Sequence, residues 1–254
     1  LFTNTYLGDY PMFLPGGKEQ IAGEYQPGWM LLSYGKKVSV SSSLEGYPAE
    51  NIVDEDARTA WVAQSNRDME WAQVDLQRLS SIHAIQVNFD EYGANQKGAV
   101  SGVYQSYLIY ASVNGEDWSL VVDYGTKKTD TPHDYIEFEE PFKARYIKLQ
   151  NKEYMVSENF SVRDLRIFGK GQGSTPRAVN DFTVERDEAD PCKARLCWEA
   201  VPDAQGYIVR YGIAGDKLYN NFQVMGENTL EIGSLNKGVA YYFTIDAYNE
   251  NGIT

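Results

Sequence analysis

The chain is poor in the residues that most often carry chemistry. Its 254 residues include two histidines and two cysteines. His83 and His133 lie far from Cys192 and Cys197 in sequence, and no CxxC pair occurs. Neither a zinc knuckle nor a redox motif is therefore spelled. The cysteines, separated by four residues, read as two thiols or one local disulfide at a strand entrance. Long apolar runs are missing too: stretches such as Trp29-Met30-Leu31-Leu32 fall far short of the ~18 residues of a membrane span. Positive charge is scarce, with 23 basic against 36 acidic side chains and a net charge of −13. That balance disfavours nucleic-acid phosphates and anionic membrane surfaces and leaves neutral polar ligands and divalent cations open. The opening Leu-Phe-Thr-Asn has neither the basic segment nor the apolar core of a signal peptide, and the chain reads as a piece of something longer. What is abundant is tyrosine, 19 residues in a chain that is 13% aromatic, too many for a solvated, disordered polymer.

Helical periodicity is almost absent, and alternation takes its place. Residues 72–90 hold two runs of period two, Val74/Leu76 and Ile82/Ala84/Ile85/Val87/Phe89, with one slip. Residues 107–113, 118–122, 135–138 and 144–149 are β-rich runs bounded by Gly, Asn, Asp or Pro. Residues 162–168 alternate as well, with Val162, Leu165 and Ile167 or Phe168 competing for the core face. Short strands at this spacing predict an all-β sandwich. Residues 169–178 (GKGQGSTPRA) interrupt the pattern with three glycines and a proline. It restarts at Phe182/Val184, Ala194/Leu196/Trp198, Tyr207/Val209/Tyr211, Leu230/Ile232 and Tyr242-Phe243 with Ile245. The expected organisation is an irregular lead-in over 1–35 packed on the first sandwich, a first domain over 36–170, a linker over 171–177 and a second domain over 178–254. Charge divides accordingly, with 16 basic and 24 acidic side chains up to residue 176, and 7 and 12 beyond it. The acidity is general.

One stretch singles out acids by position: residues 49–61, AENIVDEDARTAW. Asp54, Asp56 and Thr59 place hard oxygen donors at i, i+2 and i+5 within one turn. A Ca2+ ion takes six to eight such oxygens at ~2.3–2.6 Å. The same pattern suits an acidic turn in which Asp56 caps a short helical stretch, and spacing alone leaves both open.

In order along the chain come Asp54…Arg58-Thr59-Ala60-Trp61, Glu70-Trp71-Ala72-Gln73-Val74-Asp75-Leu76, Ser112-Val113-Asn114-Gly115-Glu116-Asp117-Trp118, Ala144-Arg145-Tyr146-Ile147-Lys148 and Asp164-Leu165-Arg166-Ile167-Phe168-Gly169. Across residues 36–170 these five motifs resemble the discoidin-like domain, also called the coagulation factor V/VIII type C domain. Its frequent bacterial version is the family 32 carbohydrate-binding module. Asn114 replaces the usual Asp before Gly, and Gln77 stands where Gly commonly follows Asp-Leu. Both changes are mild, since Asn tolerates the positive φ of a tight hairpin. The resemblance implies an eight-stranded jelly roll with a structural calcium. Asp54, Asp56 and Thr59 fall on the family's ligand loop, with Asn51 at the position that donates a carbonyl. Asp164 stands where a Glu ligand is usual on the last strand, shorter by a methylene.

Galactose-binding members carry a His shortly after the motif Trp and an Arg at the end of the third strand. Here Val62-Ala63 and Asp90-Glu91-Tyr92 occupy those places. The loops offer instead Asp90, Glu91, Tyr92, Asn95, Gln96, Tyr104 and Gln105, with Tyr154 or Asn159 beside them. Carboxylates, amides and tyrosine faces are the materials for gripping hydroxyls and stacking a sugar ring, here on loops carried by a rigid scaffold. For any one of them, a solvated loop residue is the competing interpretation.

The second domain resembles fibronectin type III. Leu196 and Trp198 fall on its second strand, residues 206–211 on its third, and Tyr241 at the corner whose hydroxyl ties back to the backbone. Thr254 stands where the last strand should begin, which predicts a missing strand and an uncovered edge. The order of lead-in (residues 4–11 and 28–34), discoidin-like module and fibronectin-like module resembles the region after the propeller of family 43 glycoside hydrolases from gut Bacteroidetes. That likeness implies catalytic acids in an upstream domain. No catalytic residue is assigned in this chain. Glycosidic cleavage needs two carboxylates ~5–9.5 Å apart across the bond, whereas neighbours such as Asp90/Glu91 or Glu139/Glu140 point to opposite strand faces. Two functions compete. One is a carbohydrate-binding module that holds a plant or host polysaccharide near a catalytic domain of the same polypeptide. The other is a scaffold packed on that domain with no ligand of its own. Both imply an extracytoplasmic setting (periplasmic, cell-surface or secreted), without nucleic acid or a membrane span.

Overall fold

The computed structural model describes residues 29–94 and 102–254; the expected lead-in up to residue 28 lies outside the described residues. The chain divides into two compact units, Leu31–Gln172 and a second that contains Gly173–Thr254. Among the described residues no helix is long and apolar enough to cross a membrane.

The alternating runs of the first part become β1 (Met30–Leu31), β2 (Lys37–Val40), β3 (Trp61–Val62), β4 (Trp71–Phe89), β5 (Gln105–Ser112), β6 (Ser119–Tyr124), β7 (His133–Tyr154) and β8 (Ser161–Lys170), with a 3-10 turn at Ala49–Val53. They are hydrogen-bonded in the order β1-β8-β4-β7-β5-β6, with β2 added on β4 and β3 on β8. Two long strands turn this one ladder into two layers. Residues 71–75 of β4 pair with 146–150 of β7, and residues 80–88 pair with 133–144 after a register shift. The runs 135–138 and 144–149 are therefore one bent strand and not two. The bend in β4 falls at Gln77, which takes φ +66° while its amide donates to Asp75 Oδ1 at 2.7 Å. A left-handed conformation costs a residue with a Cβ about 1–2 kcal/mol, and this is the position read as a glycine site.

Alternation sends one face of each layer inward. Ala72, Val74, Ile109, Ile147 and Leu149 from one layer and Ile85, Val87, Leu165 and Ile167 from the other are fully buried in a single core. Trp61 closes that core below the acidic loop. Its ring meets Phe160 edge-on at 5.8 Å, and its Nε1 donates to the Ser42 carbonyl at 3.0 Å. In the hairpin at 112–118 the left-handed residue is Gly115, at φ +82°. Asn114 instead uses its Oδ1 to accept the amides of Glu116 and Asp117 at 2.9 and 3.0 Å.

The second unit comprises β9 (Phe182–Arg186), β10 (Ala194–Trp198), β11 (Gly206–Gly212), β12 (Asn220–Met225), β13 (Thr229–Ile232), β14 (Tyr242–Asn249) and β15 (Gly252–Ile253). They form a three-stranded sheet, β13-β10-β9, and a four-stranded one, β12-β11-β14-β15. Leu196, Trp198, Val209, Ile245 and Ala247 pack in the core. β12 buries only Val224, too little for its sequence to stand out as a strand. β15 is two residues long and pairs with β14, and Ala247 and Thr254 exchange backbone hydrogen bonds of 3.0 and 2.8 Å. Cys192 and Cys197 are both free thiols.

Candidate functional site

The residues between the 3-10 turn and β3 hold their own backbone in place. Asp54 Oδ1 accepts the Asp56 amide at 2.8 Å, and the Thr59 hydroxyl lies 2.8 Å from Asp54 Oδ2 and 2.9 Å from the Asp56 carbonyl. Asn51 Nδ2 donates to the Ala60 carbonyl at 2.8 Å, which closes the neck of the loop. Asp54, Thr59 and the Asp56 carbonyl thus come together. The Asp56 carboxylate does not join them. It faces the exposed Arg58, whose Nε and Nη2 donate to it at 3.0 and 2.9 Å and, with the Arg58 amide, hold its pKa down at about 2.

Asp164 approaches from β8, where it is 3% exposed. Asn88 Nδ2 donates to its Oδ2 at 2.8 Å, while its Oδ1 is buried with no hydrogen-bond partner. Burial raises its carboxyl above the ordinary value, Arg166 and Asn88 pull it back, and the charge of Asp54 adds to the rise. A buried, unmatched carboxylate oxygen is costly, and a cation is the kind of partner that satisfies it. Two residues of this region were not visible in the sequence. Glu55 takes φ +61°, and Arg166 Nε and Nη2 donate to its two carboxylate oxygens at 3.0 and 2.8 Å. Their side chains are 10% and 8% exposed. They are 111 positions apart, and no local pattern links them. Among the described residues no three His, Cys, Asp or Glu side chains form a ready-made metal cluster. A cation here would rely on hydroxyl and carbonyl oxygens besides Asp54 and Asp164.

A second constellation follows the end of β4. Residues 90–94 turn with Gly93 at φ +71° and the Ala94 amide donating to the Glu91 carbonyl at 3.0 Å. The Asp90 carbonyl accepts the hydroxyls of buried Tyr154 and of Ser161, so the base of the loop is fixed to β7 and β8. The Asp90 carboxylate pairs with Arg163. Arg163 reaches it through a bulge: Asn88 pairs with Asp164 and Phe89 with Val162, which leaves Arg163 without a partner in the ladder. Bulges re-aim side chains in this way. The Arg163 Nε is buried without a hydrogen-bond acceptor. Tyr92 meets Tyr47 edge-to-face with centroids 4.9 Å apart, and both rings are half-exposed. Glu91 is exposed beside them.

The remaining described candidates have hydrogen-bond partners of their own. Tyr104 donates to Glu153 Oε2 at 3.0 Å and lies under Lys128, 5.2 Å from its ring centroid. Gln105 is buried, and its amide is engaged at both ends, donating to Asp130 Oδ1 at 3.1 Å and accepting the Thr131 amide at 2.8 Å. Asn159 Nδ2 donates to the Ala63 carbonyl at 2.8 Å. Asn95 and Gln96 lie outside the described residues. Arg163 and Tyr47 were missed. The crowded alternation of residues 162–168 was the one trace of the bulge.

A family model of the F5/8 type C domain matches residues 37–164, just over half of the chain. The chain belongs to the F5/8 type C domain family. The match covers β2 through the loop of residues 54–59 and β4 to Asp164, so both constellations lie within the F5/8 type C domain or at its edge. Lactadherin of Rattus norvegicus is 33% identical over 110 residues, covering 41% of this chain and 25% of that protein. The Mus musculus protein is 32% identical over the same length. The chain thus spans about a quarter of the length of the curated relatives it matches. Among solved structures it is similar to chitosan-binding module 1 of a Paenibacillus sp. IK-5 chitosanase/glucanase, at 20% identity and TM-score 0.46, over 55% of this chain and 98% of that one. It is also similar to the family 32 module of C. perfringens NanJ in complex with galactose, at 19% identity and TM-score 0.42, over 52% and 92%.

Proposed function

We propose that the F5/8 type C domain of this chain is a non-catalytic glycan-binding module whose contact surface is the loop of residues 90–94. The observation that carries this reading is a loop that holds the Asp90/Arg163 pair and, two residues on, the half-exposed Tyr92 ring against Tyr47. The carboxylate accepts from one sugar hydroxyl while the guanidinium donates to its neighbour, and a tyrosine face covers the apolar side of the ring. A structural Ca2+ is part of the same proposal. Asp54, Thr59, Asp164 and the carbonyls of Asn51 and Asp56 would hold it, and the unmatched Asp164 Oδ1 supports it. When bound, the ion would cross-link the loop to β8. The second unit is proposed as a fibronectin type III-like spacer. An upstream glycoside hydrolase of family 43 and an extracytoplasmic location rest on the sequence resemblance alone.

The alternative is a scaffold without a ligand of its own, favoured by the absence of the family's His and Arg at Val62-Ala63 and residues 90–92. Affinity electrophoresis and an array of plant and host polysaccharides separate the two. Retention on at least one glycan, lost in Tyr92→Ala with the fold intact, is expected; no retention on any glycan would leave the scaffold. For calcium, a chelator should lower the melting temperature of the first unit, since an ion that binds only the folded state stabilises it. An unchanged melting point with no bound ion excludes it.

A further inference from the structure

The loop of residues 54–59 and β8 are far apart in the chain, and a buried ion pair joins them. Glu55 extends from the loop and Arg166 from β8, in a two-point contact at 3.0 and 2.8 Å with both side chains nine-tenths buried. Glu55 accepts a left-handed backbone at the point from which its side chain reaches Arg166. Asp164 lies two residues before Arg166 on β8, and the charges of Arg166 and Asp54 both act on it. Ionised, Asp54, Glu55, Asp164 and Arg166 sum to −2. In a low-dielectric setting an extra fixed cation beside a carboxylate cluster opposes a second, mobile one.

We infer that Arg166, clamped by Glu55, is the resident counter-cation of the acidic loop: it holds the loop on β8 without a metal ion and weakens the site's affinity for Ca2+. The second half of this inference rests on the calcium reading above; the first half does not. Arg166 acts through the loop and is a positioning residue.

The test titrates the metal-free full chain with CaCl2 by calorimetry and melts it with and without chelator. The variants are Arg166→Met, Glu55→Gln and the double Glu55→Gln/Arg166→Met. Arg166→Met leaves three carboxylates and is expected to bind Ca2+ at least tenfold more tightly, with a larger fall in melting temperature on chelation. Glu55→Gln frees the guanidinium to reach Asp164 and is expected to bind at least tenfold more weakly. Breaking one side of a buried pair can unfold a domain, so the double variant keeps the test open. Its acids again sum to −2, and it is expected to bind Ca2+ within a few-fold of the native chain but to lose more on chelation, because the clamp is gone. Equal Ca2+ affinity in the native chain and folded Arg166→Met, or a double variant no more sensitive to chelator than the native chain, overturns the inference alone. Binding by Arg166→Met with a silent native chain supports it and overturns the calcium reading for the native protein. Silence in every variant overturns both the calcium reading and the affinity half of the inference.

Discussion

The unit of residues 31–172 and the unit of residues 173–254 are both built from alternating strands, but they use polar side chains differently. In the first, carboxylates and cations meet across distant segments: Glu55 with Arg166, Asp90 with Arg163, and Asp75 with Arg145. The second has one such long-range pair, Arg210 with Asp246, and tyrosine hydroxyls that secure two of its turns. Tyr207 accepts the Val201 amide at 2.8 Å and Tyr241 the Asn236 amide at 3.1 Å. At those turns the phenol oxygen accepts a backbone amide and so serves the fold itself. A carboxylate–guanidinium pair at a loop retains lone pairs and N–H groups that a ligand or ion can use. That difference is the ground for proposing recognition by the first unit and a supporting role for the second.

Removing each unit's tryptophan is the strongest way to break this comparison. Trp61 is fully buried and Trp198 is 5% exposed, and the two belong to separate cores. Trp61→Ala should cost the first unit about 3–5 kcal/mol and leave the calorimetric transition of the second unmoved. Trp198→Ala, which removes the ring packed 5.1 Å from Tyr207, should do the converse. One transition that moves with either substitution would contradict two independent cores.

Acid separates the units with a smaller effect. Hydrogen bonds from Arg145 at 2.8 and 2.9 Å hold the Asp75 carboxyl below its ordinary value of 3.8. Its stabilisation is complete above 3.8 and is lost as pH falls through the lowered folded value. The gap in first-unit stability between the native chain and Asp75→Asn should therefore close below about pH 3.8. Burial raises Asp246 in the second unit against the pull of Arg210. The sign reverses there: its contribution improves as pH falls through the raised value and is worst at neutral pH. Unfolding followed from pH 7 to 3 checks both, and an Asp75→Asn gap that widens in acid would refute the first.

The smallest effects concern backbone strain. Gln77 in the first unit and Ser234 in the second both hold positive φ, at +66° and +62°. Replacing either with Gly should raise stability by no more than about 1 kcal/mol, because the relief of strain is partly offset by a freer unfolded chain. A loss in denaturant midpoint at Gln77 would mean that its side chain, and not the bend, is what matters.

Much of the fold is legible because alternation is local. The gap between the two runs of residues 72–90 falls at the bend of β4 and the slip at Ala84-Ile85 follows its second register shift, and the runs from Tyr207 onward mark β11 and β14. The long strand β7 was split by sequence reading because exposed residues 139–141 interrupt its apolar pattern. The loop of residues 54–59 was legible as donor types, but the outward turn of Asp56 depends on Arg58, an ordinary surface residue by composition. Arg163 and Arg166 were invisible as partners. Their roles come from a bulge and from contacts across 73 and 111 positions, which no window of sequence contains.

The most direct test of the account is a nitrogen-15 NMR titration of the full chain with a neutral oligosaccharide retained on the array. The account predicts that the backbone amides of residues 90–94, Tyr47 and Arg163 shift with ligand while those of residues 207–211 stay fixed. Shifts confined to the second unit, or spectra unchanged at ligand excess, would contradict it.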